Sequence, residues 1–258
     1  MNNPFKEVEY FENDLCKYTK APYCVAVDSC TNALFLTLKY FNVKNKVTIF
    51  PRKTYLSMPM MALANDNTVY FREYEWRGYY QIEVPEMPNL IIYDSAKRLR
   101  YADFREMAVG ARHDICDSET CNNHKKMVVL KSFHMKKHIT SISGKGGAIL
   151  TNDEDFYNWA LKARWEGREP YSDYKDKEQD ISIIGYNMNM TPEEAVFLRR
   201  QLSTLSVYQK DLDEPDGYRN LDEFTIFKDC KVIHKNCSSE SLIAQLKLPF
   251  SYNEKNQG

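Results

Sequence analysis

Short apolar runs alternate with amphipathic segments along most of this 258-residue chain. Strands are predicted where the run is continuous, because a strand covered on both faces has no polar side. Helices are predicted where apolar residues recur every three or four positions. The predicted helices cover residues 5–18, 32–41, 54–64, 153–167 and 191–205, and the predicted strands cover residues 23–27, 47–50, 68–71, 89–93, 127–130 and 147–151. This alternation favours an α/β fold, a mostly parallel sheet between two helix layers.

The composition changes after Val207, where the chain becomes more polar and acidic. A weak strand is predicted at 230–233 and a weak helix at 240–246. We therefore predict a large domain over residues 1–207 and a short appendage over residues 208–258. The tail from Ser251 is expected to be disordered, as exposed polar termini commonly are.

Charge and composition exclude several classes of protein. The net charge is −1 with 28% charged residues, so no basic field exists to hold nucleic acid or an anionic membrane. No apolar run is long enough for a membrane span, and the N-terminus lacks the apolar core of a signal peptide. The seven cysteines follow no disulfide framework, so we expect a reducing, cytoplasmic location.

Polar residues follow two of the predicted strands. In the first turn, Asp28-Ser29-Cys30-Thr31, a strand leads into a helix whose free amides and neighbouring hydroxyls suit a phosphate. An ordinary helix cap is the alternative interpretation. Asp94 ends a buried strand, at the position where open α/β sheets bind ligands. A carboxylate there can keep a pyridinium nitrogen protonated, or it can simply cap the next turn.

A third candidate lies at Ser132-Phe133-His134-Met135-Lys136-Lys137-His138, ahead of the turn Gly144-Lys145-Gly146-Gly147. A lysine that forms an imine works best with its pKa lowered by burial or by a neighbouring cation. The two adjacent lysines can equally be a solvated basic patch. The glycine turn is too short for a nucleotide P-loop.

Taken in order, these motifs resemble the DegT-type (DegT/DnrJ/StrS) sugar aminotransferases of the fold-type I pyridoxal-phosphate (PLP) superfamily. The likeness extends from about Phe11 to Leu205. Five motifs of the family have counterparts here. Residues 29–34 are similar to its phosphate turn, and residues 51–55 to its Pro-x-x-Thr-aromatic motif. Residues 92–97 are similar to its aspartate motif, 132–137 to its lysine motif and 185–191 to its Gly-Tyr-Asn motif.

The resemblance implies a fold-type I large domain with a curtailed C-terminal small domain, and PLP as cofactor. Lys137 takes the Schiff-base role in preference to Lys136, because it lies five positions after Ser132. Asp94 takes the ring-nitrogen role. The other implied contacts are Ser29, Cys30, Thr31 and Ser132 at the phosphate, Tyr55 stacked on the ring, Lys97 at the ring hydroxyl, and Asn187 reaching the partner subunit's phosphate.

The resemblance implies a homodimer that transfers an amino group from glutamate or glutamine to a nucleotide-linked keto-sugar. Three positions depart from the family's pattern, with Cys30 for Gly, Lys97 for Gln and Asn189 for Arg. These departures leave a non-catalytic, cofactor-binding or scaffolding homologue as the alternative. The retained lysine favours an enzyme, since the dehydratase relatives carry histidine there.

The stretch between Asp94 and Ser132 is 37 residues long and offers a second candidate for the ring-nitrogen role, Asp117. Asp94 is favoured because its strand is longer and more apolar. The same stretch holds four residues able to bind zinc: His113, Cys116, Cys121 and His124. Their spacing matches no zinc module, so an exposed insert with free thiols is favoured and no metal is predicted.

Overall fold

The structure is a computed structural model of the chain, and it describes residues 3–113, 125–170, 179–212 and 217–234. The α-helices in these ranges are α1 (Lys6–Thr19), α2 (Cys30–Tyr40), α3 (Ser57–Ala64), α4 (Asp103–His113), α5 (Glu154–Ala163) and α6 (Pro192–Thr204). The strands are β1 (Tyr23–Val27), β2 (Val47–Pro51), β3 (Thr68–Arg72), β4 (Tyr80–Ile82), β5 (Leu90–Asp94), β6 (Lys126–Ser132), β7 (Gly147–Thr151) and β8 (Lys231–Ile233).

The strands form two sheets that meet edge to edge. One has the order β1-β7-β6-β5-β4 and the other β2-β3-β8. They join where Ile49 of β2 exchanges two backbone hydrogen bonds with Glu83, just after β4, at 2.9 and 3.1 Å. In the described pairings, β4 and β7 are antiparallel to the other strands. The predicted mostly parallel sheet is therefore confirmed, with two reversed members.

Helices cover both faces of the larger sheet. Along β1, Val25 and Val27 face the layer of α2, α3 and α5, whereas Cys24 and Ala26 face the layer of α1, α4 and α6. Alternate residues of β6 and β7 divide between the same two layers. Because both faces are buried, each strand reads as an unbroken apolar run. This is the α/β/α sandwich that the sequence predicts.

A buried ion pair covers the outer edge of β1. The amide of Ala26 donates to Oε1 of Glu12 at 2.6 Å, and Nη1 of Arg164 donates to the Ala26 carbonyl at 2.5 Å. Glu12 and Arg164 also form a salt bridge with almost no solvent exposure. Backbone groups at a buried edge need partners, and this pair supplies them while tying α1 and the end of α5 to the sheet.

The structure differs from the predicted elements in three places. The three-residue β4 and the helix α4 have no counterpart among them, and α3 begins at Ser57 rather than at Thr54. The later start of α3 leaves the Thr54 side chain to donate to the Tyr80 hydroxyl at 2.9 Å. A segment whose polar group is held by a tertiary partner gains less from entering a helix.

Part of the predicted appendage packs on the sheet. Leu221 and Phe227 are buried in the same core as α2, and β8 pairs in parallel with β3. Arg52 also forms a salt bridge with Asp222 at 2.7 Å. The domain boundary at residue 207 stays a prediction. The predicted helix at 240–246 and the tail from Ser251 lie outside the described residues.

Candidate active site

The polar ends of three strands converge at one edge of the larger sheet. In the strand register Val27 lies opposite Gly147, Gly147 opposite Ser132, and Leu130 opposite Asp94. Neighbouring side chains of a strand point to opposite faces of the sheet. Tyr93 and Lys131 point to the face covered by α1, α4 and α6, so Asp94 and Ser132, the next residues, point to the other face. Both therefore face the layer that contains α2. The strand register thus brings together residues that are more than a hundred positions apart.

The predicted phosphate turn forms the start of α2. Ser29 caps the helix, its Oγ accepting from the Asn32 amide at 3.1 Å. The Thr31 hydroxyl lies 2.7 Å from that of Ser57, which ties the turn to α3. Gly147 lies directly against it, because a Cβ added there would be only 2.4 Å from the Cys30 nitrogen. The backbone of β7 can therefore lie against the phosphate turn only because residue 147 has no side chain.

Asp94 is held by two hydrogen bonds at the end of β5. The Tyr80 hydroxyl donates to Oδ2 at 2.8 Å and the Ala96 amide donates to Oδ1 at 3.0 Å. Burial raises the pKa of this carboxyl group, while these two hydrogen bonds and the charges of Lys137 and Lys131 act to lower it. The side chain is therefore a buried, oriented acceptor, as a partner for a protonated ring nitrogen must be.

The Thr54–Tyr80–Asp94 chain of hydrogen bonds was not predicted from the sequence. Thr54 belongs to the Pro-x-x-Thr-aromatic motif, which was a usable signal. Tyr80 lies in a three-residue strand with no motif around it. Only the pairing of Tyr80 with Asp94 across β4 and β5 reveals its contact.

Lys137 interacts electrostatically with two groups of this site. Its charge acts to lower the pKa values of both Asp94 and Cys30, although burial raises each of them. Lys137 is half-buried, whereas Lys136 is exposed and has a left-handed backbone, with φ of 66°. A half-buried amine beside a buried carboxylate suits attachment of a cofactor better than an exposed amine. The choice of Lys137 over Lys136 stays a prediction that this placement supports.

Three of the residues predicted to contact the cofactor lie at the edge of the site: Tyr55, Lys97 and Asn187. Tyr55 is 51% exposed, between Thr54 and Ser57, two residues that are tied to the site. Lys97 is half-buried, and its backbone bonds to Gly78 and Leu212.

Asn187 is exposed, and the next carbonyl, of Met188, accepts from the Asp28 amide at 2.9 Å. This bond places the 187–189 segment beside the phosphate turn of its own chain. The assigned contacts of these margin residues stay predictions.

The alternatives in the 95–131 stretch cannot be placed. Asp117, Cys116, Cys121 and His124 lie outside the described residues, as does the side chain of His113. Within the described ranges, no three His, Cys, Asp or Glu side chains gather as metal ligands. None of the helices in those same ranges is long and apolar enough to span a bilayer.

The residues present fit a phosphorylated pyridine aldehyde. The N-terminus of α2 offers amides and hydroxyls in a cradle that a Cβ at Gly147 would fill. Asp94 offers a buried acceptor for a ring nitrogen, and Lys137 offers a half-buried amine whose charge acts on Asp94. The three parts correspond to the phosphate, the nitrogen and the aldehyde of such a molecule.

Comparison with known proteins identifies the family of this chain. The DegT/DnrJ/EryC1/StrS aminotransferase family matches residues 2–92 and 109–221. The UDP-4-amino-4,6-dideoxy-N-acetyl-beta-L-altrosamine transaminase of Campylobacter jejuni is 21% identical, covering 98% of this chain and 72% of its own. The spore coat polysaccharide biosynthesis protein SpsC of Bacillus subtilis is 23% identical, covering 82% of this chain and 60% of its own.

A solved structure carries the same fold. NtdA of Bacillus subtilis, crystallised with bound cofactor PMP, has a TM-score of 0.55 and 18% identity, covering 77% of this chain and 48% of its own. The chain thus spans less than two thirds of SpsC and about half of NtdA. The resemblance drawn from the motifs is confirmed, and the chain belongs to the DegT/DnrJ/EryC1/StrS aminotransferase family, which has the type I fold and PLP as its cofactor.

Proposed function

We propose that this chain transfers an amino group from glutamate or glutamine to a nucleotide-linked keto-sugar, and that it does so as a cytoplasmic homodimer. The observation that carries the proposal is the buried Asp94, which is held by Tyr80 and Ala96 and whose pKa the charge of Lys137 acts to lower. The names of the relatives support a sugar as substrate, and the sugar in the name of the Campylobacter jejuni transaminase is linked to UDP.

Bound PLP supplies an electron sink for the carbanion that forms when a proton leaves the carbon next to an amine. The start of α2, with Ser29 and Thr31, holds the phosphate dianion, because free amides and the helix dipole favour negative charge there. Ser132 at the end of β6 and Asn187 of a second subunit complete the phosphate contacts.

Asp94 would hold a proton on the ring nitrogen. The Tyr80 and Ala96 hydrogen bonds keep both carboxylate oxygens oriented, so the acceptor does not have to reorganise during the reaction. Tyr55 would stack on the ring, and Lys97 would contact the ring hydroxyl.

Lys137 would hold the bound cofactor. Its ε-amine would also move a proton at the substrate carbon, as general base and then acid. The charge of Lys137 acts on both Asp94 and Cys30, which supports this role.

The test compares two adjacent lysines in the purified full-length chain. PLP is added to wild type, Lys137→Ala and the matched control Lys136→Ala, and visible absorbance of the protein-bound cofactor is recorded. We expect the wild-type band to persist in Lys136→Ala and to be absent from Lys137→Ala. A band that survives in Lys137→Ala and vanishes in Lys136→Ala contradicts the assignment.

A second measurement separates catalysis from binding alone. Wild type loaded with PLP should release one equivalent of the corresponding 2-oxo acid from glutamate or glutamine, since the donor's amino group stays on the cofactor. The departures at Cys30, Lys97 and Asn189 favour a non-catalytic homologue as the second candidate. That candidate predicts the same absorbance band with no 2-oxo acid released.

A further inference from the structure

Lys131 is a buried lysine that the proposed mechanism does not use. It directly precedes Ser132 in β6 and is 1% exposed, on the face of the sheet opposite to the site. Its Nζ donates to Oδ2 of Asp103 at 2.5 Å, to the Arg98 carbonyl at 2.9 Å and to Oγ of Ser95 at 3.0 Å. Burying a lysine and its carboxylate partner is unfavourable compared with apolar residues of similar size. Stability alone is therefore a weak reason for this pair.

The three contacts of Lys131 hold the turn that carries Asp94. Ser95 and Arg98 are the two ends of that turn, and between them the Ala96 amide donates to Asp94 at 3.0 Å. The Ser95 amide is also fixed, by the Leu130 carbonyl at 2.9 Å. A movement of the lysine would loosen both ends of the segment that orients the carboxylate.

The charge of Lys131 also acts on Asp94. Burial raises the pKa of Asp94, and Lys131 and Lys137 both act to lower it. Among the described residues, the other titratable groups that interact with this carboxyl include Tyr80, which donates to it, Tyr74 and the Cys30 thiol.

Around Lys131 itself, burial lowers the pKa, Asp103 and Asp211 act to raise it, and Arg98 acts to lower it. The salt bridge to Asp103 favours the charged form of Lys131 and opposes the effect of burial.

We infer that Lys131 is a positioning residue for the cofactor ring, holding the 95–98 turn and placing a positive charge behind the Asp94 carboxylate. The inference rests on the proposed function in assigning Asp94 to the ring nitrogen. In the proposed function, Lys137 is bonded to the cofactor once the cofactor is bound. Lys131 then provides the fixed charge on the other side of the carboxylate.

The first experiment needs no cofactor. Full-length protein labelled with ¹³C at the aspartate carboxyls is titrated by NMR, and the Asp94 signal is identified by its loss in Asp94→Asn. In Lys131→Met the Asp94 titration should move to higher pH, because a nearby cation has been removed. The matched control is Lys126→Met on the same strand, whose side chain is 47% exposed and pairs with Asp153.

Lys131→Met leaves Asp103 buried without its cation, so the double variant Lys131→Met, Asp103→Asn is measured as well. The double variant removes both charges and avoids an isolated buried carboxylate. An Asp94 titration that coincides with wild type in the variants that fold overturns the inference.

The second experiment asks whether the effect reaches the ring nitrogen. Affinity is measured for PLP and for an analogue with carbon in place of that nitrogen. Lys131→Met should weaken PLP about fivefold, as expected for loss of one charge interaction in a partly screened interior, and should weaken the analogue less. Equal losses for both molecules would mean a structural role only and would refute the inference. Failure of wild type to bind PLP defeats the proposed function instead, and the NMR titration still decides the role of Lys131.

Discussion

Replacement of Gly147 by alanine is the sharpest test of the phosphate cradle. The backbone of Gly147 does not require glycine, since its φ is not in the left-handed region. The whole effect of the added methyl group is therefore steric. That methyl would lie 2.4 Å from the Cys30 nitrogen, 2.5 Å from the Ser29 carbonyl carbon and 2.8 Å from the Cys30 Cα.

The size of the effect follows from these distances. Favourable contacts between such atoms are about 3.5 Å or longer, so β7 and the first turn of α2 must separate by about 1 Å. Overpacking of this kind costs about 1–3 kcal/mol of stability. A displacement of about 1 Å in groups that position a ligand can cost about a hundredfold in function. We therefore expect a strong loss of PLP affinity with a moderate loss of stability.

The assay measures PLP binding by absorbance and stability by urea unfolding in the same preparations. The control is Gly110→Ala, because Gly110 lies in α4 with nothing within 4 Å of an added Cβ. That substitution should raise stability by about 0.5–1 kcal/mol, the usual gain for alanine over glycine in a helix, and leave PLP affinity unchanged. If Gly147→Ala binds PLP as tightly as wild type, the proposed cradle is wrong.

Two further substitutions test the buried charges. Arg164→Met should lower the free energy of unfolding by about 3–5 kcal/mol in urea, since it leaves the Glu12 carboxylate buried without its cation. The control Arg168→Met, at a side chain that is 29% exposed, should cost less than about 1 kcal/mol, and similar costs for the two would contradict the reasoning. Asp94→Asn should make the cofactor-free protein melt at a higher temperature than wild type near neutral pH. A raised pKa in the folded state means that wild type loses stability as pH rises through that value, whereas an amide does not ionise. A difference in melting temperature that stays constant from acid to neutral pH would refute this assignment.

Local patterns were enough to predict most of the sandwich. The strands β1, β2, β3, β5, β6 and β7 each appear as a continuous apolar run, and the start of α6 was marked by Thr191, whose hydroxyl accepts from the Glu194 amide at 3.3 Å. These signals depend only on residues within a few positions of one another. The short β4 and the helix α4 carry weaker signals and were not predicted.

The same distinction applies to the site. Lys137, Asp94 and the 29–31 turn were predicted because each lies in a motif of its own, at the end of a strand or beside a glycine turn. Tyr80 and Lys131 were not, since neither has a local pattern that separates it from an ordinary core or surface residue. Their importance comes from contacts with Asp94 and with the turn after it.

The sequence by itself determined the fold class, the family and the residue types available for chemistry, because hydrophobic period and motif spacing are properties of neighbouring positions. Only the tertiary structure decided which side chains meet. Glu12 and Arg164 are 152 positions apart, and Lys131 and Asp103 are 28 apart. The packing of α1, α4 and the end of α5 against the sheet brings them together, and this packing depends on the whole fold rather than on any one segment.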